Sequence, residues 1–291
     1  MQSLDPLLFN GIRFGLGALC IYFIRLFSIM KDRNVEQADA QKILPGKSKL
    51  FPLLILGILL FVAASFQQIG MLWTSAGNAG FITGLYVVFV PLIGLLRKQR
   101  FRGYMVIAVF LSVAGLFLLN STSVVSVTRG NILVLIGAVF WAGHVQYIDK
   151  VTKYIPVLDL ALAQFTICSL LSLLFGSINV TLVQKEVFSV AQMFIDLKTL
   201  IVPVMYAGIM SVGVAFTLQL YAQKRVKPHT ASIILCLEGV FALLGGRIFL
   251  NEVVTLSSLF GSILLLLSML LCLLGDRGLI FLIDKKGHLK N

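Results

Sequence analysis

The sequence predicts an all-α membrane protein, a polytopic bundle of about nine bilayer-crossing helices built as two inverted repeats. Three observations predict it. Of 291 residues, 58% are hydrophobic and 12% are charged, whereas a soluble domain is nearer half apolar and a quarter charged. The apolar residues fall in long runs of roughly 20, which is what a helix needs to cross a hydrocarbon core of about 30 Å. The loops between the runs alternate between crowded and sparse in Lys and Arg.

Taken in order, the runs predict helices near 7–29, 51–73, 79–96, 104–120, 131–149, 159–182, 199–222, 229–249 and 255–275. Lipid leaves no water for backbone polar groups, so only helices or closed barrels span it, and continuous apolar runs exclude the barrel's alternating pattern. Clusters around Arg25–Lys49, Arg97–Arg102, Lys150–Lys153, Lys224–Lys227 and Arg277–Lys290 place 19 basic residues on one side, against 4 on the other (Arg129, Lys185, Lys198 and Arg247). By the positive-inside rule the rich side is cytoplasmic. The N-terminus is then expected outside and the C-terminus in the cytoplasm of a bacterial cell. With no positive n-region at Met1–Pro6, the first run reads as a retained helix rather than a signal peptide.

The formal net charge of +12 does not point to nucleic acid, because the cations sit in short clusters where they orient helices. Cys20, Cys168, Cys236 and Cys272 lie inside apolar runs without ligand spacing, so neither a metal site nor a disulfide is expected. No GxxxxGK[ST] stretch or nucleotide-binding loop is present, which argues against an ATPase. No cofactor is expected.

Sliding the chain by 152 residues aligns Gln67 with Gln219 and sets Tyr86–Phe89 against Glu238–Phe241. A shift of 154 sets Asp5 against Asp159 and Asn10 against Gln164. These matches divide the chain into a first repeat at 1–120, a connector at 121–129, a second repeat at 130–275 and a basic tail at 276–291. A five-helix repeat enters the bilayer with opposite orientation the second time, as in many secondary transporters. The first repeat shows only four helices, which reads as a ten-helix arrangement entered at its second helix.

The stretch TSAGNAGFITGLYVVFVP at 74–91, the helix GNILVLIGAVFWAGHVQYIDK at 130–150 and the segment FTLQLYAQKRVKPHTASIILCLEGVFALLGGRIFLNE at 216–252 resemble the drug/metabolite transporter superfamily, specifically permeases with two EamA-type repeats. The resemblance implies a transporter of small organic solutes. It departs from the family where Glu238 is followed by Gly239 rather than proline, which is expected to remove a helix kink, and Pro91 is expected to kink the third helix.

Candidate site residues follow from the cost of polarity in a membrane. A charge at mid-span costs roughly 2.5–3.5 kcal/mol and marks a cavity or a partner. Glu238 is about ten residues into its helix, so the pattern makes it a proton-coupling or cation-recognising carboxylate, or else a structural one. Arg13 can meet an anionic solute or an acidic side chain, whereas Arg25 at a helix end reads as snorkelling. His144, with Trp141 one turn earlier on the same face, is a relay or packing histidine. Asn10, Gln67, Gln164 and Gln219 read solute or join helices. Tyr86 and Thr83 stand one turn apart, and Tyr86 matches Glu238 across the repeat. The pairs Gly11/Gly15 and Gly80/Gly84 suit close helix contact.

The function these residues point to is secondary active transport of a small organic metabolite or drug by alternating access, with proton coupling through Glu238 and His144. The competing readings are a nine-helix fragment or non-transporting scaffold and, more remotely, an integral-membrane enzyme, which would need acids and nucleophiles clustered at one interface.

Overall fold

A computed structural model describes residues 4–31, 49–99, 102–120, 128–183, 200–249, 251 and 253–287. The basic loop residues Arg33, Lys42, Lys47, Arg100, Lys185, Lys198 and Lys290 lie outside the described residues. The described chain is helical: α1 (Pro6–Lys31), α2 (Leu50–Gly70), α3 (Ala76–Gly84), α4 (Tyr86–Leu96), α5 (Gly103–Leu119), α6 (Arg129–Val151), α7 (Val157–Ile178), α8 (Ile201–Met205), α9 (Thr217–Gln223), α10 (Pro228–Leu235), α11 (Glu238–Phe249) and α12 (Leu256–Gly287). Among the described residues eight helices are long and apolar enough to cross a membrane, and α5 is a ninth, shorter apolar helix. Large apolar side chains are left uncovered along them, such as Phe27 at 75% and Phe110 at 72% exposure. That is the pattern lipid solvates and water does not.

Two of the expected single helices are broken. The run 76–96 divides at Leu85, and 228–249 divides at Cys236–Leu237. At both breaks the backbone bonds tighten to three-residue spacing, with the Leu85 amide donating to the Ile82 carbonyl and the Leu237 amide to that of Ile234, as in a 3₁₀ turn. Pro91 lies inside α4, six residues past the break at Leu85, and the second break falls at Cys236–Leu237, directly before Glu238 and Gly239. The seventh span also departs from a plain helix: Tyr206–Phe216 is π-helical. Its Gly208 and Gly213 bring their backbone against Leu16 and Cys20 of α1.

Element starts recur at nearly constant spacing. Ala76 and Tyr86 open α3 and α4, and Pro228 and Glu238 open α10 and α11, each 152 residues later. The starts of α1 and α7, of α2 and α8, and of α5 and α12 are separated by 151 to 153 residues.

The chain forms two compact units that each draw on both halves of the sequence. One comprises Met1–Leu72 and Tyr147–Arg225, the other Trp73–Gln146 and Val226–Asn291. In the first unit α1 packs along α7 and the π-helical segment, and α2 packs on α7. Asp5 caps α1 through the amides of Leu7 (2.8 Å) and Leu8 (3.2 Å), ahead of Pro6 in the first turn, satisfying donors a helix start leaves open. Its other carboxylate oxygen accepts from the Asn179 side chain at 2.8 Å. Ser169 donates to the Gly11 carbonyl at 2.7 Å, beside Gly15, where an added methyl would stand 3.0 Å from the Ser169 hydroxyl. Arg25 does not merely snorkel: it pairs with Asp159 at 3.0 Å.

In the second unit α5 packs along α12. Ser268 donates to the Ala108 carbonyl at 2.6 Å and stands 2.7 Å from Ser112. A hydroxyl has one proton, so Ser112 is the donor in the shared bond. Ser268→Ala therefore strands a buried hydroxyl and is expected to cost about 1 kcal/mol, whereas Ser112→Ala leaves Ser268 bonded and costs about 0.6 kcal/mol. Thermal melts of the two variants in detergent check the order.

Candidate functional site

The breaks organise the polar residues of the second unit. Tyr86 is the first residue of α4 and Glu238 the first of α11, so each side chain leaves the backbone where one half-helix ends and another begins. The Cys236 thiol sits 3.7 Å from the Gly84 carbonyl and shares a side-chain hydrogen bond with Tyr86. Residues 84 and 236 are themselves 152 apart in sequence, so the two breaks meet at equivalent positions. Glu238 lies within electrostatic reach of both Tyr86 and Cys236. It stands at the middle of Pro228–Phe249 and its side chain is exposed. A carboxylate at that depth is tolerated where water, a partner or a solute meets it.

Tyr86 itself is buried with Val90, Ala142 and Val145, and Trp141 packs against this cluster. His144 is fully buried and meets Trp141 edge-on, ring centroids 5.8 Å apart. Thr83 is buried one turn before Tyr86. Glu238, Tyr86, Thr83, Trp141 and His144 thus belong to one unit.

Asn10, Arg13, Gln67, Gln164 and Gln219 belong to the other. Asn10 is fully buried and its amide nitrogen donates to the Ala64 carbonyl at 3.1 Å, which ties α1 to α2. Gln164 is fully buried, whereas Gln67 and Gln219, matched by the 152-residue shift, are both half-buried. Arg13 lies over the rings of Phe9 (5.7 Å) and Phe14 (5.0 Å). Phe14 in turn packs with Phe165 and Phe216.

Two residues escaped the sequence reading. Cys236, one of four thiols inside apolar runs, joins the breaks. Gln146 is a hub: its amide nitrogen donates to the Val90 carbonyl at 2.8 Å, and its side-chain oxygen accepts from Arg97 at 3.0 Å and from Gln99 at 3.2 Å. An amide in an apolar run was the available signal for Gln146, as for the other glutamines. The glycine pairs divide. A side chain at Gly11 would collide with Leu173 and at Gly84 with Leu116, but nothing lies within 4 Å at Gly80.

Family comparison bears on what this arrangement serves. The model of the EamA-like transporter family matches residues 1–121 and again 128–274. The chain belongs to the EamA-like transporter family. The match covers nearly the whole chain in two consecutive copies. The chain is 30% identical over 272 residues to an uncharacterized transporter of Archaeoglobus fulgidus, covering 93% of this chain and 78% of the relative. It is 21% identical over 271 residues to the uncharacterized transporter YoaV of Bacillus subtilis, covering 91% and 86%. A crystal structure sharing 17% identity superposes with a TM-score of 0.71 over 95% of this chain and 90% of that one, which shows the same fold. This EamA-like transporter is a multi-pass membrane protein whose partner is a small-molecule solute. The paired breaks are the feature of its spans that membrane insertion alone does not require.

Proposed function

We propose that the protein is a secondary active transporter that moves a small organic metabolite or drug across the bacterial cytoplasmic membrane by alternating access. In this reading the repeats are 1–120 and 130–275, the basic loops and the tail from 276 are cytoplasmic, and the N-terminus is outside. Glu238 is the coupling carboxylate, taking up and releasing a proton as it exchanges contact with solute. Tyr86, Thr83 and Trp141 shape the solute face of the second unit, and His144 stands behind Trp141 as its proton-bearing neighbour. In the first unit the half-buried Gln67 and Gln219 contact solute, while Asn10 and the deeply buried Gln164 hold helices together.

The observation that carries the reading is the pair of broken helices opening at Tyr86 and Glu238. Discontinuous helices place side chains and helix ends at mid-membrane, where transporter sites are built. A scaffold gains nothing from interrupting two spans at equivalent positions, each interruption exchanging α-helical bonds for three-residue ones of poorer geometry.

Purified protein in proteoliposomes, tested against a panel of labelled amino acids, nucleobases, sugars and organic acids, is expected to give saturable flux for at least one class. Flux that rises linearly with concentration for every compound, equal to that of empty vesicles, contradicts it.

A further inference from the structure

The π-helical segment of the first unit carries one residue more than its packing against α1 needs. Leu16 and Cys20 are four apart on α1, about one ordinary turn, yet the residues that face them, Gly208 and Gly213, are five apart. A methyl group at Gly208 would stand 2.6 Å from Leu16 Cβ, and one at Gly213 would stand 3.2 Å from Cys20 Cβ. Five-residue spacing belongs to the π turn, which ordinarily occurs singly and often at functional sites. Here Tyr206–Phe216 holds it over 11 residues. The segment ends abruptly, the Thr217 amide donating to the Val214 carbonyl three residues back. On either side Met205 (φ −62°, ψ −44°) and Thr217 (φ −68°, ψ −41°) keep α dihedrals, so an α course through the segment needs no forbidden backbone angle.

The consequence falls on α9. Its buried face includes two polar side chains, Thr217 and Gln223. Gln223 is only 4% exposed, and neither polar atom of its side chain, nor the Thr217 hydroxyl, bonds to a described residue. Buried polar groups left this way are costly. Each has an exposed neighbour one residue on, Leu218 at 62% exposure and Lys224. With Gly208 held against Leu16, an α course takes up the surplus residue and moves every residue of α9 into the place of the next, a turn of about 100°. Thr217 and Gln223 then reach the exposed places of Leu218 and Lys224, and Phe216 and Ala222 take over the buried ones. Gln219 goes the other way, from a half-buried place into the buried one of Leu220, and Leu218 replaces it. The opposing cost lies on α1, because Val212 must take the place of Gly213, where even a methyl group would stand 3.1 Å from the Cys20 sulfur. Each course carries a penalty that the other relieves, which suits a packed element with two discrete states.

We propose that Tyr206–Phe216 is a register switch, alternating between this π course and an α-helix, that turns α9 to present or withdraw Gln219. The inference rests on the transporter reading, in which Gln219 contacts solute in the first unit. It gives that contact two settings, an amide in one and Leu218 in its place in the other.

The test is thiol labelling of the full chain in nanodiscs with a water-soluble maleimide, read by peptide mass spectrometry. In Gln223→Cys the new thiol is buried in the π course and exposed in the α course. It is expected to label at least tenfold faster than Cys168, a fully buried native thiol in the same molecule. Adding Gly213→Cys opposite native Cys20 supplies a lock, because their Cβ atoms lie close to the spacing a disulfide spans. After mild oxidation the thiol at position 223 is expected to label at least tenfold more slowly. The same chain with Cys20→Ser, which cannot form the bond, should keep the fast rate. Elution of each variant as a monodisperse peak, with the wild-type helical circular dichroism spectrum, guards against misfolding. Labelling as slow as at Cys168 before oxidation, or labelling that the disulfide leaves unchanged, overturns the proposal. A disulfide that fails to form denies the five-residue register itself. Labelling requires no solute, so its failure and that of transport are distinguishable. Fast labelling that the lock suppresses, without flux of any solute, keeps the switch and removes transport, whereas saturable flux with position 223 always buried does the reverse.

Discussion

Glu238→Gln is expected to abolish gradient-driven accumulation of solute. A pH difference of one unit stores about 1.4 kcal/mol per proton, which sustains a roughly tenfold solute ratio across the membrane when one proton moves per solute. The amide fills nearly the same volume and keeps hydrogen-bonding capacity but cannot carry the proton. Wild-type vesicles under that gradient should approach the tenfold ratio in one polarity, and the variant should settle at equal concentrations on both sides. Equilibration without accumulation distinguishes an uncoupled carrier from an unfolded one. Glu238→Asp, which retracts the carboxylate by one methylene, should still accumulate solute but more slowly. Retention of the full ratio in Glu238→Gln would make the carboxylate structural.

The largest stability effect belongs to the contact of α5 with α12. A methyl group at Gly261 would stand 2.6 Å from the Gly115 carbonyl oxygen and 2.6 Å from the Leu119 amide nitrogen. Both are backbone atoms of a packed helix, so no rotamer change relieves the clash. The helices must separate, and the Ser112–Ser268 bonds lie two turns along the same seam. Overpacking of this kind costs about 1–3 kcal/mol, and the backbone obstacle puts Gly261→Ala at the upper end. Its melting temperature in detergent should fall by about 5 °C or more. Gly80→Ala is the matched control, because nothing lies within 4 Å of the added methyl. There the gain in helix propensity, up to about 1 kcal/mol, should leave the melting temperature unchanged or raised. The pair separates glycines kept for close packing from those that spacing alone would nominate.

That division marks what hydropathy can see. The spans were legible because a bilayer imposes one demand, an apolar run of fixed length, and composition displays it directly. The 152-residue shift was legible from Gln67, Gln219 and the segment at Tyr86–Phe89, and it returns in the starts of α3, α4, α10 and α11. The breaks were not. A 3₁₀ turn at Leu85 or Cys236–Leu237 changes bonding over one turn without changing apolarity, and proline, the usual sign, stands at neither. The π-helical course of Tyr206–Phe216 is hidden for the same reason.

Among candidate residues, the sequence could say that Glu238, Tyr86, Trp141, His144 and Thr83 were unusual at their depth, but not that they would fall in one compact unit while Asn10, Arg13, Gln67, Gln164 and Gln219 fell in another. Each unit draws helices from both halves of the chain, so nearness in sequence does not report nearness in space. Cys236 shows this most clearly. It reads as a packing thiol until its partners, Gly84 and Tyr86, are brought 150 residues back to meet it.

The most direct test of the central claim is counterflow. Proteoliposomes preloaded with unlabelled solute are diluted into labelled solute with no ion gradient present. A carrier that exposes one site alternately to each side returns faster when loaded, so label should enter faster than into empty vesicles and transiently exceed its equilibrium level. Label entering at the same rate with and without preload, with no overshoot, would contradict alternating access and leave a channel or a scaffold in its place.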